Sequence, residues 1–159
     1  MSEYRYELLT QQRDAELAAL IRRSLKARGL DIPGTVYFDE GLDHLSDYYD
    51  HPDRAYFILL KEDRLVGGIG LDPISVFPDC CELQKLYLED EEQGQGTGYE
   101  MIRLIEEEAV NRGFRRIYLE THTNLAAAIH IYEKSGYREI DRPASVVHST
   151  MNRFYLKEL

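Results

Sequence analysis

Along the 159 residues, apolar positions fall into short blocks whose period switches between two and about 3.6, the repeats of a strand and a helix. Tyr4 to Leu9 alternates as a first strand, and Leu17, Leu20, Ile21 and Leu25 then trace a helix face that Gly29 closes. "DIPGT" breaks the chain, and Leu42, Leu45, Tyr48 and Tyr49 predict a short second helix ending near "DHPD". "AYFILL" and "LVGGIGL", joined by "KEDR", read as an antiparallel hairpin, with "CELQKLYL" as a third run. Ile102, Ile105, Ala109 and Val110 space a helix from Gly98 to Arg112 that Gly113 stops, and "RRIYLET" follows as a strand. Ala128, Ile129 and Tyr132 mark a last helix closed by Gly136, before two final strands, "YREI" and "NRFYLKEL". No repeat, low-complexity segment or linker divides residues 1–159, so a single domain is expected.

One turn of this pattern carries candidate chemistry. "EDEEQGQGTG" leads straight into a helix, and alternate glycines there expose backbone N–H groups beside a helix N-terminus, an anion site. Two phosphate fingerprints fail on spacing. A dinucleotide G-x-G-x-x-G from Gly94 needs glycine where Tyr99 stands, and no Gly-Lys-Ser/Thr follows for a P-loop. What fits is Gln93-Gly94-Gln95-Gly96-Thr97-Gly98, the form Q/R-x-x-G-x-G.

Charge narrows the partners. A net charge of −10 repels phosphate backbones and anionic membranes, so neither nucleic acid nor a membrane surface is expected as a partner. No apolar run reaches the roughly 20 residues of a span, and "MSEYRYELLT" lacks the basic start and apolar core of a signal peptide, which favours the cytoplasm. Cys80 and Cys81 are adjacent, too close for a bridge to each other, and read as small buried residues. His44, His51, His122, His130 and His148 show no metal-ligand spacing, so no metal is expected; His122 alone follows a strand near the glycine turn's side of the fold.

The chain resembles the GCN5-related N-acetyltransferases (GNAT). The resemblance rests on "LYLEDEEQGQGTGYEMI", with the family's pyrophosphate loop form, and on "AAAIHIYEKSGYREI", which looks like its A-x-x-x-Y-x-x-x-G-F/Y element. It implies an α/β (α+β) GNAT fold: a central mixed, mostly antiparallel sheet of about six to seven strands flanked by about four helices. It also implies acetyl-CoA as co-substrate. Backbone amides of Gln93, Gly94, Gln95, Gly96, Thr97 and Gly98 would hold the pyrophosphate, and the backbone at Leu86 and Leu88 would pair with the pantetheine arm. Several such amides supply a few kcal/mol, at about 1.5–3 kcal/mol per charge-assisted bond, against about 1 kcal/mol or less from each exposed carboxylate. The side chains of Glu89 to Glu92 are therefore expected to point outward, and neutralising Glu91 and Glu92 to improve affinity.

The same resemblance assigns catalytic roles. Glu82 matches the family's general base; strand alternation puts it on one buried face with Gln84, Leu86 and Leu88, where burial would raise its pKa. Only ~0.1% of an amine with pKa near ~10 is neutral at pH 7, and an ordinary glutamate would act best through a water. Tyr132 matches the tyrosine that faces the CoA sulfur, a hydrogen-bond donor before an acid because a thiol is the stronger acid. The Leu88 N–H is expected to hold the thioester oxygen. The family's asparagine position is Leu125 here, and Asn124 reads as a helix N-cap. By resemblance, "LDIPGTVYFDEG" and "DRPASVVHSTM" line the acceptor pocket, with Tyr37, Phe38, Tyr48 and Tyr49 as aromatic candidates. The acceptor is expected to be a primary amine of a small molecule or amino acid; a protein or peptide N-terminus, a non-catalytic CoA sensor and assembly as a homodimer stay open.

Overall fold

The computed structural model describes residues 3–147 and 149–159, so His148 lies outside the described residues. The strands are β1 (Tyr4–Leu8), β2 (Ala55–Lys61), β3 (Arg64–Ile74), β4 (Cys80–Leu88), β5 (Arg116–Thr121), β6 (Arg138–Ile140) and β7 (Arg153–Glu158). The helices are α1 (Asp14–Ala27), α2 (Leu45–Tyr49), α3 (Thr97–Asn111) and α4 (Ala126–Lys134). They build the expected architecture: one seven-stranded sheet in the order β1-β2-β3-β4-β5-β7-β6, antiparallel except for β4 beside β5. The hairpin at "KEDR" turns through Glu62 and Asp63, both at positive φ, which matches the right-handed twist of the strands it joins. Helices α1, α3 and α4 end alike, with Gly29, Gly113 and Gly136 left-handed; Leu30, Phe114 and Tyr137 donate back to the carbonyls of Leu25, Ala109 and Tyr132 at 2.8–3.0 Å.

Two apolar clusters cover the sheet faces. Leu17, Leu20, Ile21 and Leu25 of α1 pack with Tyr49, Tyr56, Ile58 and Leu60 on one face. Met101, Ile102, Ile105 and Ala109 of α3 pack with Ile129 and Tyr132 of α4 on the other.

Strand β4 departs from regular alternation. Its register against β3 jumps from Gly68–Tyr87 to Gly70–Gln84, leaving Lys85 and Leu86 together opposite Ile69 in a bulge with Lys85 at φ 51°. The bulge inverts the side-chain phase. Cys81 and Leu83 before it join the α3 cluster, as Leu86 and Leu88 do after it, whereas Tyr87 faces the α1 cluster. The expected common face of Glu82, Gln84, Leu86 and Leu88 is therefore wrong, because the extra residue shifts the second half of the strand by one.

The bulge has a support that the sequence hides. A Cβ on Gly68 would stand 2.4 Å from the Tyr56 hydroxyl oxygen, and one on Gly70 2.6 Å from Tyr56 Cδ2. These glycines clear space for the Tyr56 ring, whose hydroxyl donates to the Lys85 carbonyl at 2.6 Å.

Candidate active site

Strands β4 and β5 pair only at Cys80–Arg116, Cys81–Ile117 and Glu82–Tyr118. Beyond Glu82 they part, β5 staying with β7 and β4 with β3. The Glu89 N–H donates to the Val66 carbonyl at 2.9 Å, flanking the Gly67–Leu88 pair. That pair is consequently of the non-hydrogen-bonded kind, and the Leu88 N–H faces away from β3 into the gap. Leu86, inside the bulge, has no partner residue on β3. Backbone donors thus line an opening in the sheet.

The glycine turn stands at the end of β4. Gly94 (φ 82°) and Gly96 (φ 86°) are left-handed, a Cβ on either would meet nothing within 4 Å, and Gly96 caps α3. Their requirement is conformation, not space. Gly98 serves packing: its Cβ would lie 2.6 Å from Ile131 Cδ1 of α4. Gln93 ties the turn to the strand, donating from Nε2 to the Leu88 carbonyl at 3.2 Å. Gln95 is exposed and bonds back to the Glu91 carbonyl at 3.3 Å, while Thr97 is buried in the first turn of α3. Leu88, Gln93, Gly94, Gly96 and Gly98 line one hollow with His130 and Ile131.

The acidic run points outward only in part: Asp90 and Glu91 are exposed as expected, whereas Glu89 is half-buried and Glu92 is buried. Glu92 is 2% exposed and accepts from Tyr4, and it pairs with Lys61 at 3.4 Å; Tyr4 and Lys61 are register partners on β1 and β2. Glu89 pairs with Arg23, Asp90 with Arg28 at 2.7 Å, and Glu91 with Arg64 at 3.7 Å. Every carboxylate of the run has a cation, which is why it can stand before an anion cradle.

From the turn, a channel lined by Arg28, Leu86, Leu88, Gln93, Gly98 and Ile131 leads inward. It shares Leu86, Tyr87, Leu125 and Ala128 with a cavity of ≈ 310 Å³ lined also by Glu82 and Tyr132. Gly34, Thr35, Val36 and Asp39 wall that cavity from one side and Ser149, Thr150 and Met151 from another. Thr150 Oγ1 donates to the Gly34 carbonyl at 2.8 Å and joins the two walls. Both expected segments therefore meet here, but the aromatic candidates do not line the cavity. Tyr49 is buried in the α1 cluster, and Tyr48 bonds Asp72.

Glu82 is half-buried and its carboxyl is pushed up to about 7, first by burial and then by Glu120. Gln84 opposes this, donating from Nε2 to Glu82 Oε1 at 2.8 Å while its own Oε1 accepts from Tyr49 at 2.7 Å. Tyr132 is 5% exposed, packs against Tyr137 and Tyr155, and is raised far above its ordinary pKa of 10.0 by burial. Among the described residues no hydrogen bond engages its hydroxyl, which leaves the donor free.

One expectation moves. Leu125, not Asn124, is the N-cap of α4 and makes no side-chain cap bond, whereas Asn124 Nδ2 donates to the Arg28 carbonyl at 3.0 Å and fastens α4 to the end of α1. His122 accepts the Asn124 N–H at Nδ1, so it shapes a turn. Cys80 and Cys81 are buried and unbridged, their thiols pushed up to about 11 and about 12 by burial. Sequence reasoning missed Lys85 and Glu120, and reached Asp39 only as part of "LDIPGTVYFDEG". Glu120 left a signal: it lies two residues past Tyr118, the β5 partner of Glu82, on the same side of its strand.

Residues 21–137 match the sequence model of the Acetyltransferase (GNAT) family. The uncharacterized N-acetyltransferase YjgM of Escherichia coli (strain K12) is 36% identical over 135 residues, covering 84% of this chain and 81% of that protein. Streptothricin acetyltransferase of Escherichia coli is 25% identical over 135 residues, covering 82% and 76%. The PaiA N-acetyltransferase of Thermoplasma acidophilum, solved in complex with coenzyme A, superposes with a TM-score of 0.78 at 19% identity over 100% of both chains. The match over residues 21–137 and the 36% identical relative place the chain in the GNAT family, as an N-acetyltransferase.

Proposed function

We propose that the chain works as one domain that moves an acetyl group from acetyl-CoA directly to a primary amine of a small molecule or amino acid. The observation that carries this reading is the parted β4/β5 edge: the free Leu88 N–H, Glu82 and Tyr132 converge on one channel-and-cavity system. The amides from Gln93 to Gly98, at the N-terminus of α3, suit a pyrophosphate, and the backbone at Leu86 and Leu88 suits an extended amide-bearing arm. Leu88 N–H stabilises charge developing on the thioester oxygen. Glu82 accepts the amine's proton through a water; the transfer from a group of pKa near ~10 to one near 7 is uphill by roughly 4 kcal/mol by any path, and is drawn forward as acetyl transfer consumes the neutral amine. Tyr132 donates to the departing sulfur.

The Thr150–Gly34 bond between the cavity walls favours a small acceptor over a peptide that needs an open groove. Among the described residues no helix is long and apolar enough to cross a membrane. Thiol release from acetyl-CoA, followed against amines, amino acids and peptides, tests the reading. Turnover confined to peptides, or cofactor binding without any turnover, overturns it.

A further inference from the structure

Lys85 is the only cation among the described residues that line the ≈ 310 Å³ cavity. It is half-buried, and no salt bridge or side-chain hydrogen bond holds its ammonium; its nearest recorded partner is the Tyr48 ring, 5.8 Å from Nζ to the centroid. Asp39, Glu82 and Asp72 act on it from a distance. A half-buried ammonium that no anion contacts carries a desolvation cost, which a carboxylate on a bound ligand would offset. The backbone makes the same point: Lys85 is held at φ 51°, a conformation that glycine or asparagine adopts more easily, so its side chain is retained at some expense.

The same cavity carries Asp39, Glu82 and Glu120. An acceptor's ammonium is drawn to these carboxylates, and the Lys85 ammonium is left for a negative group on the same molecule. Resting on the acetyltransferase reading above, we propose that Lys85 binds a carboxylate of the acceptor, so that the substrates are amino acids or amines of the same zwitterionic kind. Polyamines and amino sugars would satisfy the acidic side of the cavity and leave Lys85 bare.

Turnover of an α-amino acid would be compared with that of its carboxamide and its decarboxylated amine, in wild type, Lys85→Met and Lys85→Arg, with thermal melts to establish folding. In wild type kcat/KM for the acid should exceed that for the amide by about tenfold to a hundredfold, the worth of one charge-assisted contact. Lys85→Met should collapse that ratio, chiefly through KM for the acid, and Lys85→Arg should keep part of it. Equal kcat/KM for acid and amide in wild type, or a ratio that survives Lys85→Met, overturns the assignment while acetyl transfer stands. Absence of turnover with every amine overturns the activity itself, and the assignment with it.

Discussion

The Tyr56 hydroxyl reaches across the sheet to the Lys85 carbonyl at 2.6 Å, and this bond holds open the bulge from which the site is built. Tyr56→Phe leaves the carbonyl unpaired and should cost about 1–3 kcal/mol of stability, read from a denaturant melt. Turnover should fall in parallel although Tyr56 is remote from any reacting atom. Gly68→Ala, which drives a methyl to 2.4 Å from the hydroxyl oxygen, should do worse on both counts; wild-type behaviour of both variants would sink the role given to this bond.

Glu82 should govern the pH response. Folding raises its pKa from 4.5 to about 7, so its protonation favours the native state: stability is unaffected below about pH 4.5 and is lost as pH rises through about 7. Glu82→Gln should thus melt higher than wild type at pH 8 and no higher at pH 4. Its turnover should drop by about 10²–10⁴-fold. In wild type kcat/KM should climb through a limb near pH 7, and Gln84→Leu, which removes the donor holding this pKa down, should move the limb to higher pH. A limb that stays in place in Gln84→Leu argues that another group titrates.

Tyr132 should behave differently. Burial keeps its hydroxyl protonated throughout the working range, so Tyr132→Phe should lower kcat by about tenfold to a hundredfold at every pH, the worth of one bond to a developing thiolate. A change in the shape of the pH profile would instead identify it as a titrating acid.

The glycines of the turn should separate by role. Gly96→Ala meets open space but forces alanine left-handed, at about 1–2 kcal/mol, and should weaken acetyl-CoA binding by calorimetry. Gly98→Ala presses on the mobile end of Ile131 and should show mainly in the melting temperature. Undiminished binding in Gly96→Ala would move the pyrophosphate elsewhere.

Within the acidic run, Glu91 and Glu92 part company. Glu91 is exposed, and Glu91→Gln should leave the melt unchanged while slightly tightening acetyl-CoA at low salt. Glu92 is buried under Tyr4 and Lys61, and the Tyr4 bond first, then Lys61, holds its pKa below 4.5. Its pairing stabilises the fold above about pH 4.5 and is lost as pH falls through the depressed value. Glu92→Gln should therefore lower the melting temperature at pH 7, with the difference fading in acid.

The element order and the glycine turn were legible because period and punctuation are local signals. Leu17, Leu20 and Ile21 fall on one helix face as spacing predicts, and α3 starts at Thr97, one residue before the expected Gly98. The bulge left only a faint mark: alternation along "CELQKLYL" breaks where Gln84 and Lys85 stand side by side, and the register against Gly68 and Gly70 is what shows this break to be an extra residue. The fate of Glu92 was not legible, because its partners, Tyr4 and Lys61, come from strands far away in the chain. Pairings between distant strands decided what periodicity alone could not.

The half-step in β4 also bears on how such a protein can change. Glu82 and Gln84 present themselves on one side of the sheet, and Leu86 and Leu88 on the other. Substitutions at 84 can therefore retune the acceptor cavity with the α3 side left undisturbed. Deleting a single residue between the two pairs would couple the two sides again, so the strand should tolerate exchange far better than a change in length.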